Sequence, residues 1–270
     1  MFNDEFKLTQ RMAPMLQKVL VVDPNPASAR MLGDLMRNIA SGHVHTVPSN
    51  AKGLLAAQQI DPQLVFVELS GPGVDGVAFA RDLRRSHFNC RQAPIIMVTA
   101  TATAGAILAA RDAGVHEFLR KPYNARDLLR RLEAVTLRPR DWIEAVGYVG
   151  PDRRRFNSGD YTGKLKRRSD AATPDAARIL QALKIIKSAI LAIDTDPAQA
   201  MRALKAQAAN IETSAIAVGD PTLAAAALDF HTYLTGVTET GVFAAGDAVA
   251  KAGPLLAFLP KDEPARAKAG

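Results

Sequence analysis

QLVFVELSGPGVDG, residues Gln63–Gly76, sets an unbroken apolar run, Leu64 to Val67, directly before an acid, Glu68. Four successive apolar residues, two of them valines and one a phenylalanine, read as a strand covered on both faces, as in a parallel sheet. Glu68 stands where that strand meets a loop, and the carboxyl edge of a parallel sheet is where open α/β folds carry their chemistry. Gly71, Pro72 and Gly73 turn the loop, and Asp75 offers a capping oxygen to the next helix.

Working outward, KVLVV (Lys18–Val22) predicts an earlier strand that ends at Asp23, and Asn25-Pro26 supplies the N-cap and first-turn proline of a helix carrying Arg30, Met31, Leu32 and Leu35. A weak strand at Val44–Val47 and a helix at Ala51–Ile60 come before the Glu68 strand. After it come a helix from Val77 to Leu83, a strand at Pro94–Thr99, a helix at Ala104–Ala113 closed by Gly114, a strand at His116–Leu119 and a helix at Ala125–Val135. Five strands alternating with five helices predict an α/β domain, a five-stranded parallel sheet doubly wound by helices.

The 270 residues suffice for two domains, and alanine becomes frequent after Ala171, so one composition does not serve both halves. Cys90 is the only cysteine, which excludes an intramolecular disulfide and suits a reducing cytoplasm. Met1–Leu16 carries Asp4 and Glu5 without a signal-peptide core, and no run of about 18 apolar residues occurs, so a cytoplasmic protein without membrane insertion is expected. The formal charge of +7 is uneven: residues 138–170 hold nine basic against five acidic residues, a net +4. That is a local anion-binding patch, and nucleic acid is not the expected partner.

Asp23 after the first strand, an acid after the third, Thr99 after the fourth, Phe118 in the fifth and Lys121-Pro122 behind it together resemble a response-regulator receiver domain over Lys18 to Val135, a flavodoxin-like fold. The resemblance implies an aspartate at the end of the third strand that takes a phosphoryl group from a histidine kinase. It also implies two acids after the first strand that hold Mg²⁺, a Thr or Ser that contacts the phosphoryl oxygens, a lysine that pairs with the acceptor, and an aromatic switch at the position of Phe118, for which the other reading is a plain core aromatic of a central strand. Two positions depart. Glu68 occupies the phosphoacceptor position, and Pro24 stands where the second metal-binding acid is usual, so the site keeps Asp23 and loses its partner. A carboxylate moved by a methylene and a metal shell short of one oxygen donor both strike the same in-line transfer. The expectation is a non-phosphorylatable pseudo-receiver without Mg²⁺. Glu68 then either imitates a phosphoryl charge toward Lys121 and Thr99 or forms a plain ion pair with Lys121.

Residues 138–172 are expected to leave regular structure as a basic, Gly- and Pro-rich linker. Within it Tyr148-Val-Gly-Pro-Asp-Arg153-Arg154 and Tyr161-Thr-Gly-Lys-Leu-Lys166-Arg167 share Tyr-x-Gly-x-x-basic-basic at an offset of 13 residues. Arginine offers bidentate donors to phosphate and guanine, and tyrosine a stacking face. The segment resembles the arginine-rich arm of receiver-like cyclic di-GMP effectors, which makes Tyr148, Arg153, Arg154, Arg155, Tyr161, Arg167 and Arg168 candidate nucleotide-binding residues. The other reading is a solvated linker or one resting on an acidic partner.

Beyond it, Thr173-Pro174, Asp196-Pro197 and Asp220-Pro221 are helix starts of one type, 23 and 24 residues apart. Apolar stripes (Ile179, Leu183, Ile186, Ile190, Ile193; Met201, Leu204, Ala208, Ile211; Leu223, Phe230, Leu234) and a fourth segment, Val242–Leu259, broken near Gly253-Pro254, predict a helical bundle over 173–260, with tails at 1–16 and 261–270. RALKAQAA from Arg202 faintly resembles the His-x-Leu-Lys-Gly-Ser motif of histidine phosphotransfer domains, with Arg202 at the histidine position, and His231 lacks the following lysine. His43 and His45 have no third ligand nearby, so no metal is assigned. No catalytic residue is assigned either. The sequence thus reads as a two-component signalling protein acting as an adaptor toward a histidine kinase or phosphorelay component. Cyclic di-GMP binding and ordinary phosphorylation are the alternatives.

Overall fold

Strand pairing follows the apolar runs. The computed structural model describes residues 2–40, 42–153, 174–240 and 245–260. Two compact units result, Met1–Ile143 with Tyr148–Tyr161 and Glu144–Gly147 with Thr162–Gly270.

In the first unit α1 (Phe2–Met12) precedes β1 (Lys18–Val22), α2 (Pro26–Ile39), β2 (His43–Val47), α3 (Asn50–Ile60) and β3 (Leu64–Glu68). The short β4 (Ser70–Gly71) and β5 (Val74–Asp75) follow, then α4 (Gly76–Arg85), β6 (Ile95–Thr99), α5 (Ala104–Asp112), β7 (Glu117–Arg120) and α6 (Ala125–Thr136). The five long strands form one sheet in the order β2-β1-β3-β6-β7, parallel throughout. Alternate residues of each strand feed two apolar layers. Val19, Val21, Leu64, Phe66, Ile96 and Val98 pack with α1, α2 and α6, while Leu20, Val22, Val65, Val67, Ile95 and Met97 pack with α3, α4 and α5. The expected caps form: Asn25 Oδ1 accepts from Ala27 N and Ser28 N, and the Asp75 side chain accepts from Ala78 N.

Two expected tails or linkers are ordered where the structure describes them. Residues 1–16, expected as a tail, carry α1, and Met12 and Leu16 are fully buried in the layer shared with α6. Leu8, Met12 and Leu16 recur every four residues, so this segment has an apolar stripe of its own. Residues 138–172, expected to be irregular, begin with β8 (Trp142–Glu144) and β9 (Val149–Pro151), paired as a two-stranded sheet. Val149 lies against Gly114, where a Cβ would strike the Val149 carbonyl.

That hairpin lies beside a buried arginine. Arg84 on α4 is 1% exposed; its Nε and Nη2 donate to Gly114 O and its Nη1 to the carbonyls of Arg91 and Ala93. Trp142 covers the guanidinium at 5.2 Å. Burial lowers Arg84 to about 9, so it stays charged at neutral pH.

The second unit holds α7 (Pro174–Leu191), α8 (Pro197–Val218), α9 (Pro221–Thr240) and α10 (Ala245–Leu256). Packing runs α7 to α8, α8 to α9, α9 to α10 and α10 back to α7, a closed four-helix ring. Asp196 and Asp220 cap α8 and α9 through Gln199 N and Leu223 N. Leu183, Ile186, Ile193, Leu204, Ala208, Ile211, Leu223, Phe230 and Leu234 are buried as their spacing predicts, whereas Ile179, Ile190 and Met201 are only partly so. The fourth helix is not broken at Gly253-Pro254: α10 runs through Pro254 to Leu256. The lost donor falls in its last turn, and buried Ala248, Ala252 and Leu255 hold the helix on the bundle. Among the described residues no helix is long and apolar enough to cross a membrane.

Candidate functional site

Register brings the site together. Val22 pairs with Val67, so Asp23 and Glu68 are the next neighbours at the carboxyl edge of the sheet. Thr99 pairs with Arg120, which sets Lys121 one step beyond the same edge. Lys121 Nζ donates to Glu68 Oε2 at 2.5 Å, to Asp23 Oδ2 at 3.0 Å and to Ser28 Oγ at 3.2 Å, so each of its three N–H bonds has an acceptor. The remaining carboxylate oxygens face backbone: Asp23 Oδ1 accepts from Asn25 N and Glu68 Oε1 from Leu69 N.

Asp23 is 7% and the Glu68 side chain 11% exposed. Burial by itself pushes Lys121 down, but hydrogen bonds and charge from Glu68 and Asp23 together hold its ammonium above the usual lysine range. Ser28 was not legible as a site residue, though its place in the first turn of α2 aims it at this edge. Tyr123, two residues beyond Lys121, was missed as well. Its hydroxyl is buried without a hydrogen-bond partner, and burial raises its pKa.

The remaining sequence candidates divide. Thr99 is buried, but its hydroxyl accepts from Thr101 N and donates to Thr101 O, so it joins neither Glu68 nor Lys121. Phe118 is partly buried against the α3–α5 layer. Pro24 packs on the β3–α4 loop: a Cβ at Gly71 would lie 2.6 Å from Pro24 Cγ. That loop is clamped in turn to α3, since Asn50 Nδ2 donates to Asp75 O at 2.8 Å and Asp75 N donates to Asn50 Oδ1. An apolar ring therefore fills the place of the second metal-binding acid, and both carboxylates already share one ammonium. With that ammonium in place the site does not fit an octahedral Mg²⁺, which requires close oxygen ligands on all sides.

In the arm, Tyr148 is buried and its hydroxyl donates to Pro151 O at 2.6 Å. Arg153 stacks over the Tyr148 ring at 4.4 Å and donates to Asp112 at 2.9 Å. Arg154, Arg155, Tyr161, Arg167 and Arg168 lie outside the described residues. In the second unit Arg202 donates to Gln199 Oε1. Gln199 Nε2 donates to Glu144 Oε1 and Ala145 O, and Gln207 Nε2 to Glu144 O, so the 144–147 segment lies along α8. His231 lies on α9, and His43 and His45 are exposed on β2. Among the described residues no group of three His, Cys, Asp or Glu is placed to hold a metal ion.

Residues 19–133 match a family model described as the response regulator receiver domain. The DNA-binding response regulator MtrA of Mycolicibacterium smegmatis is 28% identical over 130 residues, 48% of this chain and 55% of that protein. The transcriptional regulatory protein BaeR of Escherichia coli is 25% identical over 62% of this chain and 67% of its own length. RpaA of Synechocystis, a DNA-binding dual master transcriptional regulator, is 27% identical over 46% of this chain and 50% of its own. The chain thus spans little more than half the length of most of these relatives. Among solved structures, the chemotaxis protein CheY4 of Vibrio cholerae covers 44% of this chain and 98% of its own, at 23% identity and TM-score 0.42.

Proposed function

With a response regulator receiver domain at residues 19–133 as the premise, we propose that this protein is a two-component signalling adaptor whose receiver is not phosphorylated and which acts by binding a protein partner rather than by catalysis. The observation that carries this reading is the bonding of Lys121 to both Asp23 and Glu68 beside a proline at the second metal position. Phosphoryl transfer to a receiver needs an acceptor oxygen in line and a metal to balance charge. Here the acceptor position holds a glutamate, Glu68, and the second metal position a proline, Pro24. Because Glu68 reaches Lys121 and Thr99 turns to Thr101, the ion-pair reading of Glu68 has more support than the phosphoryl mimic.

The partner is of the class that receivers engage, a histidine kinase or phosphorelay component. Cyclic di-GMP binding by the arm has less support, since Tyr148 and Arg153, two of its seven candidates, face each other and the domain's own side chains. The DNA binding named for MtrA and RpaA is not carried over, because the shared stretch is about half of each.

The test is intact mass after incubation with acetyl phosphate and Mg²⁺. The unmodified chain is expected to show no added phosphoryl group, Glu68→Asp little, and Glu68→Asp with Pro24→Asp a measurable fraction. Stoichiometric labelling of the unmodified protein would end this reading.

A further inference from the structure

We propose that Lys121 is the resident cation of this site, standing in the charge balance where a divalent ion would otherwise stand, so that the site is complete without metal and its state does not respond to Mg²⁺. This rests on the reading of the domain as one that is not phosphorylated. Two carboxylates set side by side at a sheet edge, both nearly buried, repel each other and require a cation between them. The ammonium meets that need from within the chain. Its three donors are saturated by Asp23, Glu68 and Ser28, and the far oxygen of each carboxylate is turned to a backbone N–H. The Pro24 side chain adds no oxygen, and its ring packs against Gly71.

The same geometry gives a positive consequence. Removing the ammonium while keeping the side-chain stem leaves Asp23, Glu68 and the Ser28 hydroxyl converging on one emptied point, an oxygen set of the type that hard divalent cations take. Lys121→Met therefore converts a metal-blind site into a divalent-cation site. Glu68→Gln added to it removes the charge that the ion would balance.

The experiment is a MnCl₂ titration of the full chain, followed by electron paramagnetic resonance of free manganese, with MgCl₂ as competitor. The unmodified protein is expected to show no saturable site at millimolar manganese. Lys121→Met is expected to bind one ion, on the order of tenfold tighter or more than the unmodified chain, and Lys121→Met with Glu68→Gln to lose it. A single Mg²⁺-competable site in the unmodified protein overturns the proposal, as does a folded Lys121→Met that takes up no more manganese than its parent. If Lys121→Met is unfolded by circular dichroism in metal-free buffer, manganese but not potassium chloride of equal ionic strength is expected to fold it, and failure to do so also counts against the proposal. No phosphoryl donor enters this titration, so its failure leaves the mass test above standing, and the reverse holds too.

Discussion

His116 makes stability depend on pH in a window where an ordinary histidine would be silent. Its Nδ1 accepts from Arg84 Nη2 at 3.2 Å and from Ile95 N at 3.3 Å, so that nitrogen carries no proton. Arg140 donates to the His116 carbonyl. Burial, and after it the charges of Arg84 and Arg140, hold the imidazole well below its ordinary 6.5. The folded state therefore stays neutral where the unfolded chain takes up a proton, so this contribution is present above the unfolded value and is lost as pH falls. With an unfolded value of 6.5, lowering the pH from about 7 to about 5 removes at most about 1.9 kcal/mol, the limit for an imidazole that takes up no proton in the folded state. Carboxylates contribute to any acid transition, so the assay is a difference. Urea unfolding at both pH values is compared with that of His116→Asn, whose amide oxygen can accept in place of Nδ1 and does not titrate. The variant is expected to lose less than its parent across that interval, by up to about 1.9 kcal/mol. Equal losses in the two proteins would refute the buried neutral imidazole.

Other consequences are local. Arg84→Met leaves the carbonyls of Gly114, Arg91 and Ala93 without their donor and is expected to lower unfolding free energy by about 3 kcal/mol or more, read by chemical denaturation. Tyr123→Phe removes a buried hydroxyl that has no partner, and thermal melting should show stability unchanged or raised by up to about 1 kcal/mol. A fragment starting at Glu144 should melt cooperatively as a helical domain. One starting at residue 174, which lacks the acceptors of Gln199 and Gln207, should be less stable by about 2 kcal/mol in circular dichroism melts.

The sheet was legible because its signals are local. Apolar runs such as Leu64–Val67 specify strands, and Asn25, Asp75 and Asp196 cap helices through contacts a few residues away. Asp23, Glu68, Thr99 and Lys121 could be set at one edge because each follows a strand directly. What escaped was polar residues on buried faces. Arg84 stands four residues after Ala80 on the core face of α4, and Gln199, Ala203, Gln207 and Ile211 form one i, i+4 row on α8. The spacing was there to be read, but a charge or an amide is assigned to solvent until its acceptors are known. Those acceptors are backbone carbonyls far along the chain, Gly114 for Arg84 and Glu144 for Gln207. The β8–β9 hairpin escaped for a related reason, since Tyr148 looked like an offered stacking face and is instead packed and bonded to Pro151.

The central claim is that the receiver at residues 19–133 carries no phosphoryl group, because Lys121 holds both Glu68 and Asp23 and Pro24 replaces an acid. The most direct measurement is the intact mass of the unmodified chain after exposure to acetyl phosphate and Mg²⁺, with the Glu68→Asp, Pro24→Asp double variant as the positive control. The unmodified chain is predicted to keep its mass while the control gains a phosphoryl group. A stoichiometric gain in the unmodified chain, abolished by Glu68→Gln, would contradict it.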